Sequence, residues 1–325
     1  MRHAAAKNKK RFLWIPGRVR ARFSVAMKAV LSASLLLLAL SAGSAGVVAP
    51  DAKLEKLSGG FKFTEGPTCD ARGNLFFTDQ PNDRILEWSA DGKLSTWLRP
   101  AGRANGMMFD ARGNLIVCAE ASNQLWSIAP DKTVTVLVTN FHGKILNGPN
   151  DVWIAPNGSL YFTDPFYKRS WSDTNSARVT DEAVYFLSAD RKTLRRVVGD
   201  FKKPNGITGA PDGKTLFVAD IRGDKTWRYE IMPDGSLTNK TMFCAKGSDG
   251  MTMDADGNLF LCATGKTNGV TVFDAAGKQI EHVDVPEKWS ANVCIGGADR
   301  KTLFITASES LYAIRLDAPG ANPAK

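Results

Sequence analysis

Short apolar runs alternate with polar turns along most of the chain, and one unit of this pattern recurs. In each copy a polar turn precedes a leucine and a short apolar run, which often ends in Thr-Asp or Ala-Asp. Short β-branched and aromatic runs bounded by such turns are typical of β-strands rather than helices. The copies are DARGNLFFTD (70–79), DARGNLIVCA (110–119), APNGSLYFTD (155–164), APDGKTLFVAD (210–220), DADGNLFLCA (254–263) and ADRKTLFITA (298–307).

The spacing of the copies predicts the fold. Successive anchoring leucines are 40, 45, 56, 43 and 44 residues apart, at Leu75, Leu115, Leu160, Leu216, Leu259 and Leu303. A period of about 40–45 residues with several short strands per unit is typical of a β-propeller blade. The chain is therefore predicted to be all-β, with one six-bladed β-propeller over residues 51–318. The longest interval contains an insertion at 165–185, which we expect to form a loop over one face.

One register position is polar in every copy. It lies ten residues before the anchoring leucine, or eleven where the turn is longer, and is occupied by Glu65, Asn105, Asn150, Asn205, Asp249 and Asn292. Equivalent positions of a propeller form a ring around its axis. Asn and Asp beside Gly are also common in turns, but six polar copies in one register favour a central site for a hard divalent cation. Asp79, Asp164 and Asp220, which end three strands, are expected to accept structural hydrogen bonds instead.

These residues lie in segments that resemble the gluconolactonase/regucalcin family of six-bladed propellers, and the bacterial gluconolactonases in particular. The segments are EGP (65–67), NGPNDVWIAPNGSLYFTDP (147–165), PNGITGAPDGKTLFVAD (204–220), SDGMTMDADGNLF (248–260) and NVCIGGADRKTLFIT (292–306). The resemblance implies one divalent cation, Ca²⁺ first and Mg²⁺, Mn²⁺ or Zn²⁺ as alternatives. Its implied ligands are Glu65, Asn150, Asn205 and Asp249.

The resemblance also implies an activity, the hydrolysis of sugar lactones such as D-glucono-1,5-lactone with water activated at the axial cation. A cation stabilises the developing oxyanion, and a nearby carboxylate can take the proton from water. We expect Asp249 to be that catalytic base and Asn105, Asp151 and Asn292 to bind substrate. Tyr167 and Trp171, in the insertion, are candidates to cover the sugar ring of the substrate.

Two departures from the family pattern leave the particular lactone undefined. Gly148 stands where animal members have a substrate-contacting Arg, and Cys118-Ala119-Glu120 stands where many bacterial members read Cys-Glu-His. Three other functions stay open. They are organophosphate or ester hydrolysis on the same site, a non-catalytic metal-binding propeller, and a strictosidine-synthase-like propeller, although the last class lacks this ligand set.

The positive charge of the chain is concentrated at its N-terminus. The formal net charge is +9, yet residues 1–50 hold nine Lys and Arg and no acidic residue, so the remainder is near neutral. This argues against nucleic-acid binding. The basic stretch runs into AVLSASLLLLALSAGSAG, which has the layout of a secretory signal and is short for a membrane span. We predict a leader over 1–46, starting at Met1 or Met27, and a periplasmic or secreted protein without stable membrane insertion after cleavage.

The five cysteines are dispersed and form no C-x-x-C pair, so a zinc site is not indicated. They are Cys69, Cys118, Cys244, Cys262 and Cys294. An exported protein can hold a disulfide, but the spacing does not identify which cysteines would pair.

Overall fold

A computed structural model describes residues 46–263 and 267–321 of the chain. The predicted leader and its two candidate start sites lie outside the described residues, except for Gly46. No helix in the described part of the chain is long and apolar enough to cross a membrane.

The described residues form twenty-four strands in six antiparallel sheets of four, with two short 3₁₀ helices, Gln80–Asn82 and Glu120–Ser122. The strands are β1 (Glu55–Gly59), β2 (Thr64–Cys69), β3 (Leu75–Asp79), β4 (Arg84–Trp88), β5 (Leu94–Leu98), β6 (Ala104–Phe109), β7 (Leu115–Ala119), β8 (Gln124–Ile128), β9 (Val134–Val138), β10 (Val152–Ile154), β11 (Leu160–Asp164), β12 (Ala183–Leu187), β13 (Leu194–Val198), β14 (Pro204–Gly209), β15 (Thr215–Asp220), β16 (Lys225–Ile231), β17 (Leu237–Cys244), β18 (Met251–Met253), β19 (Leu259–Ala263), β20 (Gly269–Phe273), β21 (Gln279–Val283), β22 (Ser290–Gly296), β23 (Thr302–Ala307) and β24 (Ser310–Arg315).

Each sheet is one blade, and the predicted six-bladed β-propeller is confirmed. Blade one is β2–β5, blade two β6–β9, blade three β10–β13, blade four β14–β17 and blade five β18–β21. Blade six is β22, β23 and β24 with β1 added as the outermost strand, so the N-terminal strand closes the ring. The repeats did not reveal this closure, because they mark only the second strand of each blade.

The anchoring leucines explain why the repeated runs are continuously apolar. All six are fully buried in the second strands of their blades. Those strands are covered on both faces by neighbouring blades; for example, Trp153 and Tyr161 of blade three share a cluster with Ile207 and Leu216 of blade four. Burying one such leucine contributes about 1.5–3 kcal/mol. The blades therefore stabilise one another, and the inner strands are held around the common axis.

The insertion between β11 and β12 is tied down over the entry to the inner strands. Arg178 donates from Nη1 to the carbonyl of Leu146 at 2.8 Å, and its guanidinium lies 4.9 Å from the centre of the Phe166 ring. Lys203 donates from Nζ to the Phe166 carbonyl at 2.6 Å and to Glu182 at 2.7 Å. The loop ends at 182, three residues earlier than predicted, because Ala183 begins the buried strand β12. It is packed against the loops that lead into blades three and four.

Candidate axial site

The six ring residues lie where the inner strands begin. Four are among the first three residues of β2, β6, β14 and β22, and the other two lie two residues before the start of β10 and β18. Their relative exposures run from 2% to 7%: Glu65, Asn105, Asn150, Asn205, Asp249 and Asn292. Six polar side chains buried at equivalent positions of six blades need partners at the axis.

Irregular backbone sets each ring residue apart from its regular sheet. In blades three and five the inner ladder begins only after the ring residue. In the other four blades the register shifts beside it, between Glu65 and Thr68, Ala104 and Met107, Pro204 and Ile207, and Ser290 and Asn292. A bulge of this kind redirects a side chain out of the alternating pattern of the strand. It frees the ring side chains from packing between the blades.

Glycines allow neighbouring inner strands to approach at this level. A Cβ on Gly206 would lie 2.2 Å from the Asp249 carbonyl oxygen, and one on Gly250 would lie 1.9 Å from Oδ1 of Asn292. Both distances are far below van der Waals contact. The Asn-Gly and Asp-Gly pairs therefore bring consecutive ring residues together, in addition to forming a local turn.

Three aspartates hold the loops that carry Glu65, Asn150 and Asn205. Asp79 accepts from the backbone N–H of Lys62 at 3.0 Å. Asp164 accepts from Asn147 and Gly148, both at 2.8 Å. Asp220 accepts from Lys202 and Lys203 at 3.0 and 2.9 Å. The structural role predicted for these strand-end aspartates is confirmed, and each acts two or three residues before a ring residue.

Negative charge is concentrated at the axis. Burial raises the pKa of Glu65 well above its ordinary value, and the charges of Asp249 and Asp151 raise it further. Burial raises the pKa of Asp151 to about 7 and that of Asp249 to about 6. Carboxylates so placed are costly to ionise without a cation. The positive charge of Arg169 lowers the pKa of Asp249, against the larger effect of burial. The Nε of Arg169 donates to Glu120 at 3.2 Å.

Trp289 is a site residue that the repeat analysis missed. Its indole Nε1 donates to Oδ2 of Asp249 at 2.6 Å, and this hydrogen bond lowers the Asp249 pKa against the larger effect of burial. Trp289 lies in the loop that enters blade six, three residues before Asn292. That position could have identified Trp289 from the sequence, because the residues just before each ring position belong to the loops that enter the inner strands. We call the end of the propeller formed by these loops the mouth.

Glu120 organises a second polar cluster beside the ring. It opens the 3₁₀ helix after β7 and is 6% exposed. Its carboxylate accepts from Gln80 at 2.6 Å, from Asn105 at 3.3 Å and from Arg169 at 3.2 Å. The sequence marked Glu120 only as a departure from the family pattern. In the fold it links blade one, blade two and the insertion.

The insertion reaches the axial ring of residues through Tyr167, whereas the predicted covering of a bound sugar by Tyr167 and Trp171 stays a prediction. Nδ2 of Asn205 donates to the Tyr167 hydroxyl at 2.9 Å. The Arg169 guanidinium lies 5.1 Å from the centre of the Tyr167 ring and 5.9 Å from that of Trp171. Tyr167 thus contacts a predicted metal ligand, while Trp171 lies one layer further out, 4.4 Å from the guanidinium of Arg103.

Asp151 and Asn292 reach towards the other end of the inner strands. The Asp151 carboxylate accepts from the backbone of Val152 at 3.0 Å and of Ile207 at 3.4 Å, which joins blades three and four. Asn292 accepts from the Val293 N–H at 2.8 Å. Both residues line a cavity of ≈ 180 Å³ formed by the later residues of the inner strands. Their predicted contact with substrate stays a prediction, whereas Asn105 lies among the groups of the mouth.

The ring offers the chemistry that a hard cation requires. In residues 46–263 and 267–321, no three His, Cys, Asp or Glu side chains form a ready metal cluster, so the metal site stays a prediction. The donor set nevertheless consists of amide and carboxylate oxygens, the ligands that Ca²⁺ takes in flexible geometry. The mutual repulsion of Glu65, Asp151 and Asp249 is what a bound cation would relieve. The residues present therefore fit a divalent cation.

Fold and site together define a class of protein, the six-bladed β-propellers with a polar axial site at the start of the inner strands. Residues 63–309 match the SMP-30/gluconolactonase/LRE-like region. The chain belongs to this family, which confirms the resemblance drawn from its motifs.

Individual relatives show the range of the family. The chain is 28% identical over 291 residues to a gluconolactonase of Zymomonas mobilis, covering 81% of both chains. It is 26% identical over 218 residues to the diisopropyl-fluorophosphatase of Loligo vulgaris, covering 63% of this chain and 68% of the relative. A solved structure of a Xanthomonas campestris gluconolactonase superposes with a TM-score of 0.76 at 28% identity, covering 83% of this chain and 91% of the other.

Proposed function

We propose that the protein is a metal-dependent hydrolase of sugar lactones such as D-glucono-1,5-lactone. The observation that carries the proposal is the buried axial ring of two carboxylates and four amides, in which the charge of Asp249 raises the pKa of Glu65. The gluconolactonases among its relatives support the substrate class.

The cation that we propose is Ca²⁺, held by Glu65, Asn150, Asn205 and Asp249. Oxygen donors of mixed charge suit Ca²⁺ better than softer metals. When bound, such a cation supplies Lewis-acid stabilisation to the oxygen of a lactone carbonyl. Mg²⁺, Mn²⁺ and Zn²⁺ are the alternatives for the same oxygens.

Asp249 is the residue that we propose to take the proton from the attacking water. A base works best when its pKa lies near the working pH, and the Asp249 pKa of about 6 leaves it largely ionised and still basic at neutral pH. Trp289 holds one carboxylate oxygen, Oδ2. The carboxylate is thereby fixed in orientation.

Groups at the mouth are suited to bind and orient a polyhydroxylated ring. The amide of Asn105, the carboxylate of Glu120 and the hydroxyl of Tyr167 supply both donors and acceptors. Arg169 joins them, since it donates to Glu120 and lies over the Tyr167 ring. The aromatic faces of Tyr167 and Trp171 can exclude water above the site. This environment favours a sugar lactone over a purely apolar ester.

We also propose that the protein is exported to the periplasm or beyond, on the basis of the leader predicted at 1–46. N-terminal sequencing of the chain recovered from a cell fractionation tests this. A mature N-terminus near Val47 in the periplasmic or secreted fraction is expected. An intact leader in the cytosolic fraction would contradict export.

The experiment for the activity measures hydrolysis of D-glucono-1,5-lactone by chelator-treated protein, before and after each of the four cations is added. Activity that is lost with chelator and restored best by Ca²⁺ is expected. Hydrolysis of diisopropyl fluorophosphate is measured in parallel, because one relative is a diisopropyl-fluorophosphatase. Turnover of that compound and of no lactone would replace the proposed substrate class. A protein that binds the cation and hydrolyses neither substrate would be a non-catalytic propeller.

A further inference from the structure

Two cysteines that are far apart in the chain meet where the propeller closes. Cys69 ends β2, the inner strand of blade one, and Cys294 lies in β22, the inner strand of blade six. Their sulfur atoms are 3.9 Å apart although 225 positions separate them in sequence. The pair therefore bridges the seam between the first and the last blade.

The backbone at the seam leaves room for both sulfur atoms. A Cβ on Gly296 would lie 2.0 Å from Sγ of Cys69, so the absence of a side chain there is what admits the thiol. Both cysteines line the ≈ 180 Å³ cavity that the later residues of the inner strands form together with Asp151 and Asn292. Each is partly exposed, which makes the pair reachable by a small reagent.

The other three cysteines provide an internal comparison. Cys118 and Cys262 are fully buried, in blades two and five, and Cys244 is 5% exposed in blade four. The Cys244 thiol faces the carbonyl of Lys246 at 3.8 Å. Exposure to a cavity and proximity to a second thiol coincide only at Cys69 and Cys294 among the cysteines.

We propose that Cys69 and Cys294 are an oxidation site, at which a disulfide closes the propeller covalently. The oxidant is a disulfide reagent, either a low-molecular-weight disulfide or a thiol–disulfide exchange protein. One cysteine thiolate attacks the oxidant and releases a first thiol; the second thiolate then displaces the remaining half as a second thiol. The two cysteines lose two protons and two electrons, and the oxidant gains them. The sulfur atoms move from 3.9 Å to bonding distance, about 2.05 Å.

The bond would reinforce a closure that is otherwise non-covalent. Blade six is completed by hydrogen bonds between β1 and β24 at its outer edge, whereas the disulfide would join blades one and six near the axis. Linking positions 225 apart restricts the unfolded chain strongly. Typical disulfides of this kind raise the midpoint of thermal unfolding by about 5 °C in a domain of this size.

The test oxidises the reduced, purified chain with oxidised glutathione and counts free thiols after denaturation. We expect two of the five cysteines to be lost, and a peptide containing Cys69 linked to Cys294 to be found by mass spectrometry without reduction. The oxidised protein should also unfold about 5 °C above the reduced protein. Cys69→Ser and Cys294→Ser should each abolish both changes, while Cys244→Ser should retain them.

Other products would overturn the proposal. Five free thiols after oxidation, a glutathione adduct that persists at either cysteine, or a link involving Cys118, Cys244 or Cys262 would each do so. If oxidation raised the unfolding temperature of Cys69→Ser as much as that of the unsubstituted protein, the stabilisation would come from some other change. The cross-linked peptide of the unsubstituted protein decides the matter even if a serine variant folds poorly.

Discussion

Blades one, three and four differ from blades two, five and six in how the loop entering the inner strand is held. In the first group the second strand ends in an aspartate, Asp79, Asp164 or Asp220, which accepts hydrogen bonds from its own blade's loop. In the second group that position is alanine, at Ala119, Ala263 and Ala307. Own-blade aspartates thus hold the loops of the proposed ligands Glu65, Asn150 and Asn205.

Two of the alanine-ended blades take support from their neighbours, whereas in blade six the Trp289 N–H of the entering loop donates to Ser308 of the same blade at 3.2 Å. The loop into blade two donates from the Ala101 N–H to Asp83 of blade one at 3.0 Å. The loop into blade five donates from Gly247 to Asp224 of blade four at the same distance. Asp249, the proposed base, therefore lies in a loop that is held by blade four as well as by Ser248, which donates to the Cys262 carbonyl of its own blade at 3.2 Å. Its carboxylate is held by Trp289. The comparison indicates that Glu65, Asn150 and Asn205 are positioned by carboxylates of their own blades. Asp249, the fourth proposed ligand and the proposed base, depends in addition on contacts between blades.

Replacing the proposed base should give the largest effect. In Asp249→Asn the side chain keeps its size and an oxygen for Trp289 but can no longer take a proton. We expect kcat for D-glucono-1,5-lactone to fall by about 10³-fold, corresponding to about 4 kcal/mol. Asp254→Asn is the matched control, since Asp254 is a buried turn carboxylate of the same blade. Equal losses of activity in the two folded variants would contradict the assignment.

Removing an own-blade aspartate should loosen the ligand that it positions. Asp164→Ala leaves the N–H groups of Asn147 and Gly148 without their acceptor. We expect the free energy of unfolding to fall by about 3 kcal/mol and cation affinity to weaken by about 10–100-fold. Chemical denaturation and calorimetric titration measure the two effects. Asp110→Ala, in a turn of blade two, should lower stability without lowering the affinity for the cation. A loss of affinity in Asp110→Ala as large as that in Asp164→Ala would contradict the positioning role of Asp164.

The metal-free protein should lose stability as the pH rises. The folded-state pKa of Asp151, about 7, lies above the ordinary aspartate pKa of 3.8, so the folded state binds more protons than the unfolded state between those two pH values. Stability therefore falls as pH increases through that window. From pH 5 to 7 the titration of Asp151 alone should lower the free energy of unfolding by about 2 kcal/mol. Denaturation across this range should show a shallower decline in Asp151→Asn; an identical slope would contradict the burial of this charge.

Removing the contact between blades six and five should give the smallest effect. Trp289→Phe keeps the ring but deletes the donor to Asp249. Because that hydrogen bond lowers the Asp249 pKa, the acidic limb of the pH–rate profile should move to higher pH. We expect kcat to fall about tenfold, or about 1.4 kcal/mol. Trp97 is a partly buried tryptophan of blade one, and Trp97→Phe should change neither kcat nor the acidic limb. An acidic limb that stays in place in Trp289→Phe would argue against the role of Trp289.

The repeats predicted the blades well because each second strand is buried on both faces. That burial produces the continuous apolar runs and the regular leucine spacing, and the ring register follows from them. Closure by β1 could not be read in the same way, since Glu55–Gly59 is partly exposed and lacks the repeated run. Its position depends on pairing with β24, which is distant in sequence.

The site shows a similar division between repeated and unrepeated features. The ring residues were found because they recur in register. Three further site residues, Trp289, Glu120 and Arg169, belong to no repeated position. The arrangement of the blades brings Trp289 to Asp249 and Arg169 to Glu120. Likewise, sequence spacing gave no indication that Cys69 and Cys294 are neighbours, because their contact exists only at the closed seam.

Cation binding by the axial ring is the central claim, and calorimetric titration of Ca²⁺ into chelator-treated protein at neutral pH tests it most directly. We predict one ion per chain, bound more weakly at pH 5 as Asp249 and Glu65 take up protons, and not bound detectably by a folded Glu65→Gln, Asp249→Asn double variant. Absence of binding to the unsubstituted protein, or unchanged binding in the double variant, would contradict the account.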